Sequence, residues 1–487
     1  MTELDLLQIL NSFQRDMDLS IFSRQSESYW PFIKVKTYFT IWETYFSQQK
    51  VLRSKVSSRY FCSWKILSPL FKVFFLKKVD LVLVSNSINH RVRIDGASYD
   101  IFLDPILEEL PNTHTILEYN RGVETTSRSA SIAVDIFFAL GWILSRSLYN
   151  FKYRKNYFLS KPGLEQLENA LLNKGFQQKN FLRLIDKSSH DLFFLSKIFE
   201  FIFKRSKAKL LMLTDWYSTT NTAAILASKR LKMSSIDIQH GVQGEYHIAY
   251  GGWSGLEAAH QTLLPTHFWV WQKSDQVAIR NCTGKGSNVI WGSIPFLAKF
   301  QDLAPRLPDS IKLQYEQLKT LILESQKKTL LVTLQSGYET LPVILDFIKR
   351  NKSNFYFLFR LHHSSAISAS QFIRIIEEKC DIEKGEFNIS ETSKLPIYSV
   401  MQLAEFHITF NSSSVIEFSL LGKPSAVLDM DLGAKLYNDD ISSGIAISSQ
   451  NAETIRNFFL HFDRSIQNKT AQSPFHFGIQ QIRELLK

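Results

Sequence analysis

Glu405-Phe406-His407-Ile408-Thr409-Phe410, then Asn411-Ser412-Ser413-Ser414, then Val415-Ile416-Glu417-Phe418-Ser419-Leu420-Leu421, closed by Gly422-Lys423-Pro424, is the stretch on which the fold reading turns. It reads as a short apolar strand, a hydroxyl-rich turn and a helix that stops at Gly-Lys-Pro. Free backbone N–H groups and the positive end of the helix dipole converge at such a turn, which makes it a candidate anion site. About fifty residues upstream, Phe355-Tyr356-Phe357-Leu358-Phe359 reads as a second strand that delivers Arg360-Leu361-His362-His363 at its carboxyl end. Ligands of open parallel sheets bind outside the carboxyl ends of the strands, so the two clusters are expected to serve one ligand.

Further strand, loop and helix alternations extend this pattern in both directions. Lys328 to Leu334, followed by the loop Gln335-Ser336-Gly337, opens this α/β domain, and Ser425 to Asp429 continues it. An earlier α/β domain begins at Val79, with strands at Asp80–Val84, Thr115–Tyr119, Lys209–Thr214, Ser234–Ile238, Thr266–Trp271 and Asn288–Trp291. Gly292-Ser293-Ile294-Pro295 breaks the pattern. The expected division is a helical extension over 1–78, an acceptor domain over 79–295 and a donor domain over 296–487, the two Rossmann-like domains facing across a cleft. A long helical region is expected from about Arg128 to Phe203, punctuated by Pro162, Gly163 and Gly175.

The chain has 487 residues, 45% of them hydrophobic, and a net charge of +11, which excludes a disordered protein and allows two or three cores. From Lys34 to Lys78, ten basic residues face one acid, Glu43, among many aromatic side chains including Tyr38, Phe39, Trp42 and Tyr45. That mixture points to an anionic membrane surface or a lipid-linked acidic substrate; no nucleic-acid motif accompanies it. The longest apolar stretches are broken by charges, so no membrane-spanning helix is expected. Cys62, Cys282 and Cys380 are widely spaced, and the opening Met-Thr-Glu-Leu-Asp carries no charged-then-apolar leader. Both point to a cytoplasmic location, and the basic aromatic segment adds the expectation of a peripheral position at the inner face of the plasma membrane.

In the first α/β domain, Gln239-His240-Gly241-Val242-Gln243-Gly244-Glu245-Tyr246-His247 follows a strand directly. A histidine at a strand exit suits removal of a proton from an acceptor hydroxyl, with Glu245 beside it and Asp215, at the preceding strand exit, as the rival base. On the donor side, Arg360 and His362 offer cationic donors, the loop of Gln335 and Gly337 adds backbone, Ser412, Ser413 and Ser414 add hydroxyls, and Glu417 is placed to accept from a ribose. Asp429-Met430-Asp431 has no third ligand nearby, so no metal is expected. Gly284-Lys285-Gly286-Ser287 lacks the spacing of a phosphate-binding loop.

Over roughly residues 205 to 430 the chain resembles GT-B glycosyltransferases that build bacterial capsule and lipopolysaccharide. The resemblance rests on Gln239-His240-Gly241, Gly292-Ser293-Ile294-Pro295, Arg360-Leu361-His362, Ser412-Ser413-Ser414 to Glu417, and Gly422-Lys423-Pro424. Sialyltransferases and Kdo transferases of that fold use a His-Pro pair and a Ser-Ser pair on the phosphate of a CMP-sugar. The resemblance therefore implies that His362 and Ser412 to Ser414 hold the donor phosphate and Glu417 the ribose, although His363 stands where those enzymes have proline. The histidine base is similar to the His-Gly motif of CDP-glycerol glycerophosphotransferases. The implied activity is metal-independent transfer of a sugar from a nucleotide-sugar co-substrate, a CMP-sugar first, to a hydroxyl of a glycan or lipid-linked glycan, with no other cofactor. The alternatives are CDP-alcohol phosphotransfer and a non-catalytic nucleotide- or glycan-binding partner.

Overall fold

The computed structural model describes residues 2–45, 72–86, 91–110, 113–119, 131–153, 156–335, 337–362, 365, 367–463 and 474–487. The chain divides into two compact units. Unit 1 comprises residues 1–92, 97–298 and 474–487, and unit 2 comprises 93–96 and 299–473.

Unit 1 is built on a seven-stranded sheet: β1 (Leu81–Asn86), β2 (His114–Tyr119), β3 (Ser131–Ala133), β4 (Leu210–Thr214), β5 (Ser234–Ile238), β6 (His267–Val270) and β7 (Asn288–Trp291). Their spatial order is β7-β6-β5-β4-β1-β2-β3, and every pairing is parallel. A parallel sheet covered on both faces requires apolar residues at successive positions. Leu81 to Val84 and Leu210 to Leu213 meet this requirement and are buried throughout. The order reverses between β1 and β4, so their carboxyl ends flank a crevice.

Unit 2 carries a six-stranded sheet: β8 (Lys328–Leu334), β9 (Phe355–Leu361), β10 (Phe387–Asn388), β11 (Phe406–Thr409), β12 (Ser425–Val427) and β13 (Ala446–Ser448). The order is β10-β9-β8-β11-β12-β13, again all parallel, with its reversal between β8 and β11. One face is apolar: Leu330, Val332, Phe357, Phe359, Phe406 and Ile408 form a single core with the helices packed on that side. Thr333 pairs in register with Arg360 and Thr409, and with His407 two residues earlier these side chains share the other face.

Helices used below are α1 (Glu3–Asp16), α2 (Trp30–Tyr45), α3 (Asp135–Lys152), α4 (Phe181–Ser206), α5 (Thr219–Arg230), α6 (Ser390–Lys394), α7 (Ile397–Leu403), α8 (Ser414–Leu420) and α9 (Phe475–Leu486). The long helical region expected from Arg128 is interrupted. It contains edge strand β3, then α3, the helix Lys161–Leu172 that begins at Pro162, and α4. Gly175, at φ +81°, helps turn the chain between the last two. β3, β10 and β13 are two or three residues long, too short for a periodic signal.

Two expected boundaries are corrected. Residues 296–487 do not all lie in unit 2, because α9 returns to unit 1, where Phe475 packs edge-on against Trp269 at 5.9 Å. The N-terminal helices are also part of unit 1. A capping box between Thr2 and Asp5 starts α1, which buries Leu6, Leu10 and Phe13, and Phe13 stacks on Trp30 of α2 at 5.4 Å.

Nearly every residue of α2 from Trp30 to Ile41 is buried, the pattern of a core helix rather than one lying on a membrane. Lys34 is fully enclosed. Its Nζ donates to Gln14 Oε1 at 3.0 Å and to the carbonyl of Gly251 at 3.3 Å, and it lies 4.0 Å from the ring centroid of Trp253. Burial lowers its pKa to about 7. Residues 46–71 of the basic segment lie outside the described residues.

Lys34 thus ties α1 and α2 to the loop that follows β5. Lys34→Ala should lower the unfolding free energy by about 2–4 kcal/mol, through a cavity and an unsatisfied Gly251 carbonyl. Lys34→Met, which keeps the volume and removes the buried charge, should cost less. Urea unfolding measures both, and an alanine variant within about 0.5 kcal/mol of wild type would show that the tie carries no stability.

Candidate functional site

The carboxyl edge of the unit 1 sheet gathers its polar groups at the exits of β4 and β5. Asp215 leaves β4 with φ +48°, a left-handed conformation that is unusual outside glycine. The Asn221 side chain near the start of α5 holds this turn, donating to the Thr214 carbonyl at 2.6 Å and to the Asp215 carboxylate. Asp237, fully buried within β5, accepts the backbone N–H of Trp216 at 3.0 Å and the hydroxyl of Tyr250 at 2.9 Å.

Burial, and next the neighbouring Asp237 charge, push the Asp215 carboxyl well above the usual range. Burial raises Asp237 to about 8 against the pull of its two donors. Asp215 accepts from Asn221 and Asp237 from Trp216 and Tyr250, and burial disfavours charge on both, so the two carboxyls titrate as a pair. On the β1 side of the crevice, Arg91 donates to Ser85 Oγ at 2.6 Å and lies 3.7 Å from Asp100 and 3.5 Å from Glu118.

His240 leaves β5 half-buried, its Nε2 3.3 Å from the hydroxyl of Tyr217. Tyr217 is held by Phe39 of α2, whose ring stacks on it at 5.8 Å, and by His247 at 5.6 Å. His247 accepts the N–H of Ala249 at 3.2 Å, and burial takes its pKa down to about 4, so it stays neutral. Gln239 has a positioning role: its Oε1 accepts the N–H of Trp271 at 2.6 Å, and its Nε2 donates to the Gly241 carbonyl and to Asp275. Gly244, at φ +122°, turns the loop, and Glu245 beyond it is exposed and outside this bonded network. Of the expected base group, the structure therefore brings His240 and Asp215 to adjacent strand exits and leaves Glu245 at the surface.

In unit 2 the switch point is bridged by a reciprocal pair. Gln335 Nε2 donates to Asn411 Oδ1 at 2.8 Å, and the Asn411 N–H donates to Gln335 Oε1 at 2.7 Å. Asn411 also donates to Asp429 Oδ2 at 2.9 Å, while Asp429 Oδ1 accepts the N–H groups of Asp431 and Leu432. Asp429 is thus occupied locally. Gly337, at φ +86°, donates its N–H to Glu339, which also accepts from Ser365 and so joins the loops after β8 and β9. Tyr338 stacks on Phe410 with ring centroids 3.8 Å apart.

The expected donor residues separate into two sets. Ser412 and Ser413 are half-buried at the turn, and His362 is exposed at the end of β9. Arg360, Ser414 and Glu417 instead point into unit 2. Arg360 Nη1 donates to the carbonyls of Thr392 and Leu395 at 2.6 and 2.7 Å, closing the end of α6, and burial lowers its pKa to about 10. Glu417 accepts the hydroxyl of Tyr398 of α7 at 2.8 Å, and burial raises its pKa to about 7.

The helix that begins at Ser414 is only seven residues long, and the N–H groups of Val415 and Ile416 already bond to the carbonyls of Ser412 and Ser413. The anion site is therefore less open than its sequence suggests. Ser336 and His363 lie outside the described residues.

Sequence reading passed over His407, although it stands inside the decisive strand. Its ring is fully buried and stacks on Phe418 at 4.4 Å. Nε2 lies 3.0 Å from Thr333 Oγ1 and 3.1 Å from Ser414 Oγ, and Nδ1 lies 3.1 Å from Ser425 Oγ. The imidazole thus ties β8, β11, β12 and the start of α8 together. Asp237, Tyr217 and Asn411 were also missed. The available signal was a polar residue inside or immediately after an otherwise apolar strand.

Burial takes the His407 pKa from 6.5 down to about 3. Since the folded value lies below the unfolded one, the stability of the neutral ring is fully present above about pH 6.5 and is lost as pH falls toward 3. The melting temperature should therefore drop across that window, and His407→Gln should flatten the drop while lowering stability at pH 7. An unchanged acid slope in thermal melts would assign the titration to another group.

Among solved structures, the chain is similar to UDP-GlcNAc 2-epimerase from Neisseria meningitidis bound to UDP-GlcNAc, with 14% identity, a TM-score of 0.51, and 84% of this chain and 99% of that chain covered. It is also similar to the UDP-GlcNAc 2-epimerase from Methanocaldococcus jannaschii, with 15% identity, a TM-score of 0.49, and coverage of 83% and 99%. No protein-family model matches the chain, and no curated protein matches it in sequence. The two parallel sheets and the likeness to the Neisseria enzyme give a two-domain α/β fold of GT-B-like type.

Proposed function

We propose that the protein is a glycosyltransferase that moves a sugar from a nucleotide-sugar donor to a hydroxyl of a surface glycan. The observation that carries this reading is His240: a half-buried imidazole at a strand exit, 3.3 Å from the hydroxyl of Tyr217. The GT-B-like fold supports the donor class, since the Neisseria structure of that fold is described as bound to UDP-GlcNAc.

In the proposed step, His240 Nε2 takes the proton of the acceptor hydroxyl as the oxygen bonds to the anomeric carbon. The bond from that carbon to the donor phosphate breaks, and its electron pair leaves on the phosphate oxygen. The groups proposed to bind the nucleotide phosphate are His362 and the hydroxyls of Ser412 and Ser413 of unit 2. Arg360 and Glu417 shape the fold beneath that turn, so the donor grip is narrower than the sequence suggests.

A second reading is isomerisation of a sugar that stays on its nucleotide. The paired carboxyls of Asp215 and Asp237, both pushed toward their protonated forms by burial, favour it, because two coupled carboxyls suit moving a proton on a sugar carbon.

Incubation with UDP-, GDP-, CMP- and CDP-linked donors, followed by mass spectrometry, separates the readings. Transfer releases free nucleotide and needs an acceptor, whereas isomerisation yields a new nucleotide-sugar without release. His240→Ala should lower turnover by about 10²–10⁴-fold while nucleotide affinity stays within about twofold of wild type. His362→Ala should weaken nucleotide binding by about tenfold. Equal loss of affinity in both variants would remove the assigned division of roles.

A further inference from the structure

Helix α3 is inverted relative to an ordinary surface helix. Its seam against α4 is narrow: Phe138 packs on Phe199 at 5.4 Å near the start, and beyond it the contacting residues are small or polar. A Cβ on Gly141 would meet Ile198 of α4. Ser145 donates to Asp191 at 2.6 Å and lies 2.9 Å from His190 Nδ1, and Tyr149 donates to Asp186 at 2.6 Å. Most of its other apolar residues lie on the opposite side: Leu140, Ile143, Leu144, Leu148 and Phe151 are exposed, from 41% at Leu140 to 90% at Phe151. A helix that faces water normally has the reverse arrangement, and a continuous exposed apolar stripe of this size marks an interaction surface.

We propose that this outer face of α3 docks on an anionic lipid bilayer, lying in the headgroup plane. The charge pattern selects this occupant. Exposed Arg146 and Lys152 flank the stripe, and Arg146 lies 5.4 Å from the ring centroid of exposed Trp142, a pairing of cation, indole and aliphatic residues suited to the interface of anionic lipids. The carboxylates of Asp191 and Asp186 on α4 accept hydrogen bonds from the inner side of α3. Those bonds also hold α3 in place, and no helix among the described residues is long and apolar enough to cross a membrane, so the helix lies on the bilayer. This surface differs from α2, whose lysine and aromatic residues are largely enclosed in unit 1.

Co-sedimentation of the full chain with vesicles of equal parts phosphatidylglycerol and phosphatidylcholine, and with phosphatidylcholine alone, tests the proposal. Wild type is expected to sediment with the anionic vesicles. The triple variant Leu144→Gln, Leu148→Gln, Phe151→Gln is expected to partition at least about tenfold less, with melting temperature and oligomeric state unchanged. Should that variant fail to fold, Arg146→Glu with Lys152→Glu is expected to abolish the preference for anionic vesicles. Absence of wild-type sedimentation overturns the proposal, as does binding equal to wild type in the folded variants. A wild-type dimer that the triple variant converts to monomers would also overturn it, assigning the face to a second copy of the chain.

Discussion

All strands in both large sheets run parallel, and this constraint shapes the rest of the molecule. Parallel strands need helical crossovers, the crossovers cover both faces, and the sheet interior is left with little access to water. Polar chemistry then has two places to go. It can sit at the carboxyl edge, where the strand order reverses and the loops open, or it can lie inside as a fully bonded and mostly neutral network. Both solutions occur here: Asp215, Tyr217 and His240 take the edge in unit 1, and His407 with Thr333, Ser414 and Ser425 takes the interior in unit 2.

The buried groups show how the same residue types divide between chemistry and architecture. Arg360 lies within β9 and His362 just beyond its last residue, and the first is turned inward onto the carbonyls at the end of α6 while the second is exposed. Ser414 and Ser412 divide in a similar way across the start of α8. Residues two apart on a strand share a face, so alternation does not separate these pairs: Arg360 and Ser414 lie inside a strand or helix, whereas His362 and Ser412 lie in the loop just outside it. Lys34 is the same lesson applied to charge: the basic count of its segment says nothing about where one ammonium group finds acceptors, and here it finds Gln14 and Gly251 inside the fold.

α2 and α3 together reverse an inference drawn from composition. The aromatic and basic segment beginning at Lys34 has the content of an interfacial helix, but its first residues, Lys34, Val35, Thr37, Thr40 and Ile41, are buried within unit 1. α3 keeps Gly141 and Ser145 on its packed side and shows Leu140, Ile143, Leu144, Leu148 and Phe151 outward. Composition counts residues, while the side to which each residue is turned depends on which neighbouring helix supplies a seam.

The sequence alone determined the strands of both sheets that are four residues or longer, because continuous runs such as Leu81–Val84 and Phe355–Phe359 suit only a strand buried on both faces. It also determined the α/β class, the turn after β11 and the histidine at the β5 exit, since Gly, Asn and Ser clusters punctuate apolar runs at fixed places. The short edge strands, the return of α9 to unit 1 and the interior roles of Arg360, Glu417 and His407 were decided by tertiary structure. Their physical cause is non-local. Pairing of Gln335 with Asn411, enclosure of Lys34 and neutralisation of His407 each require groups distant in sequence to meet in a low-dielectric interior, and no local pattern encodes that meeting.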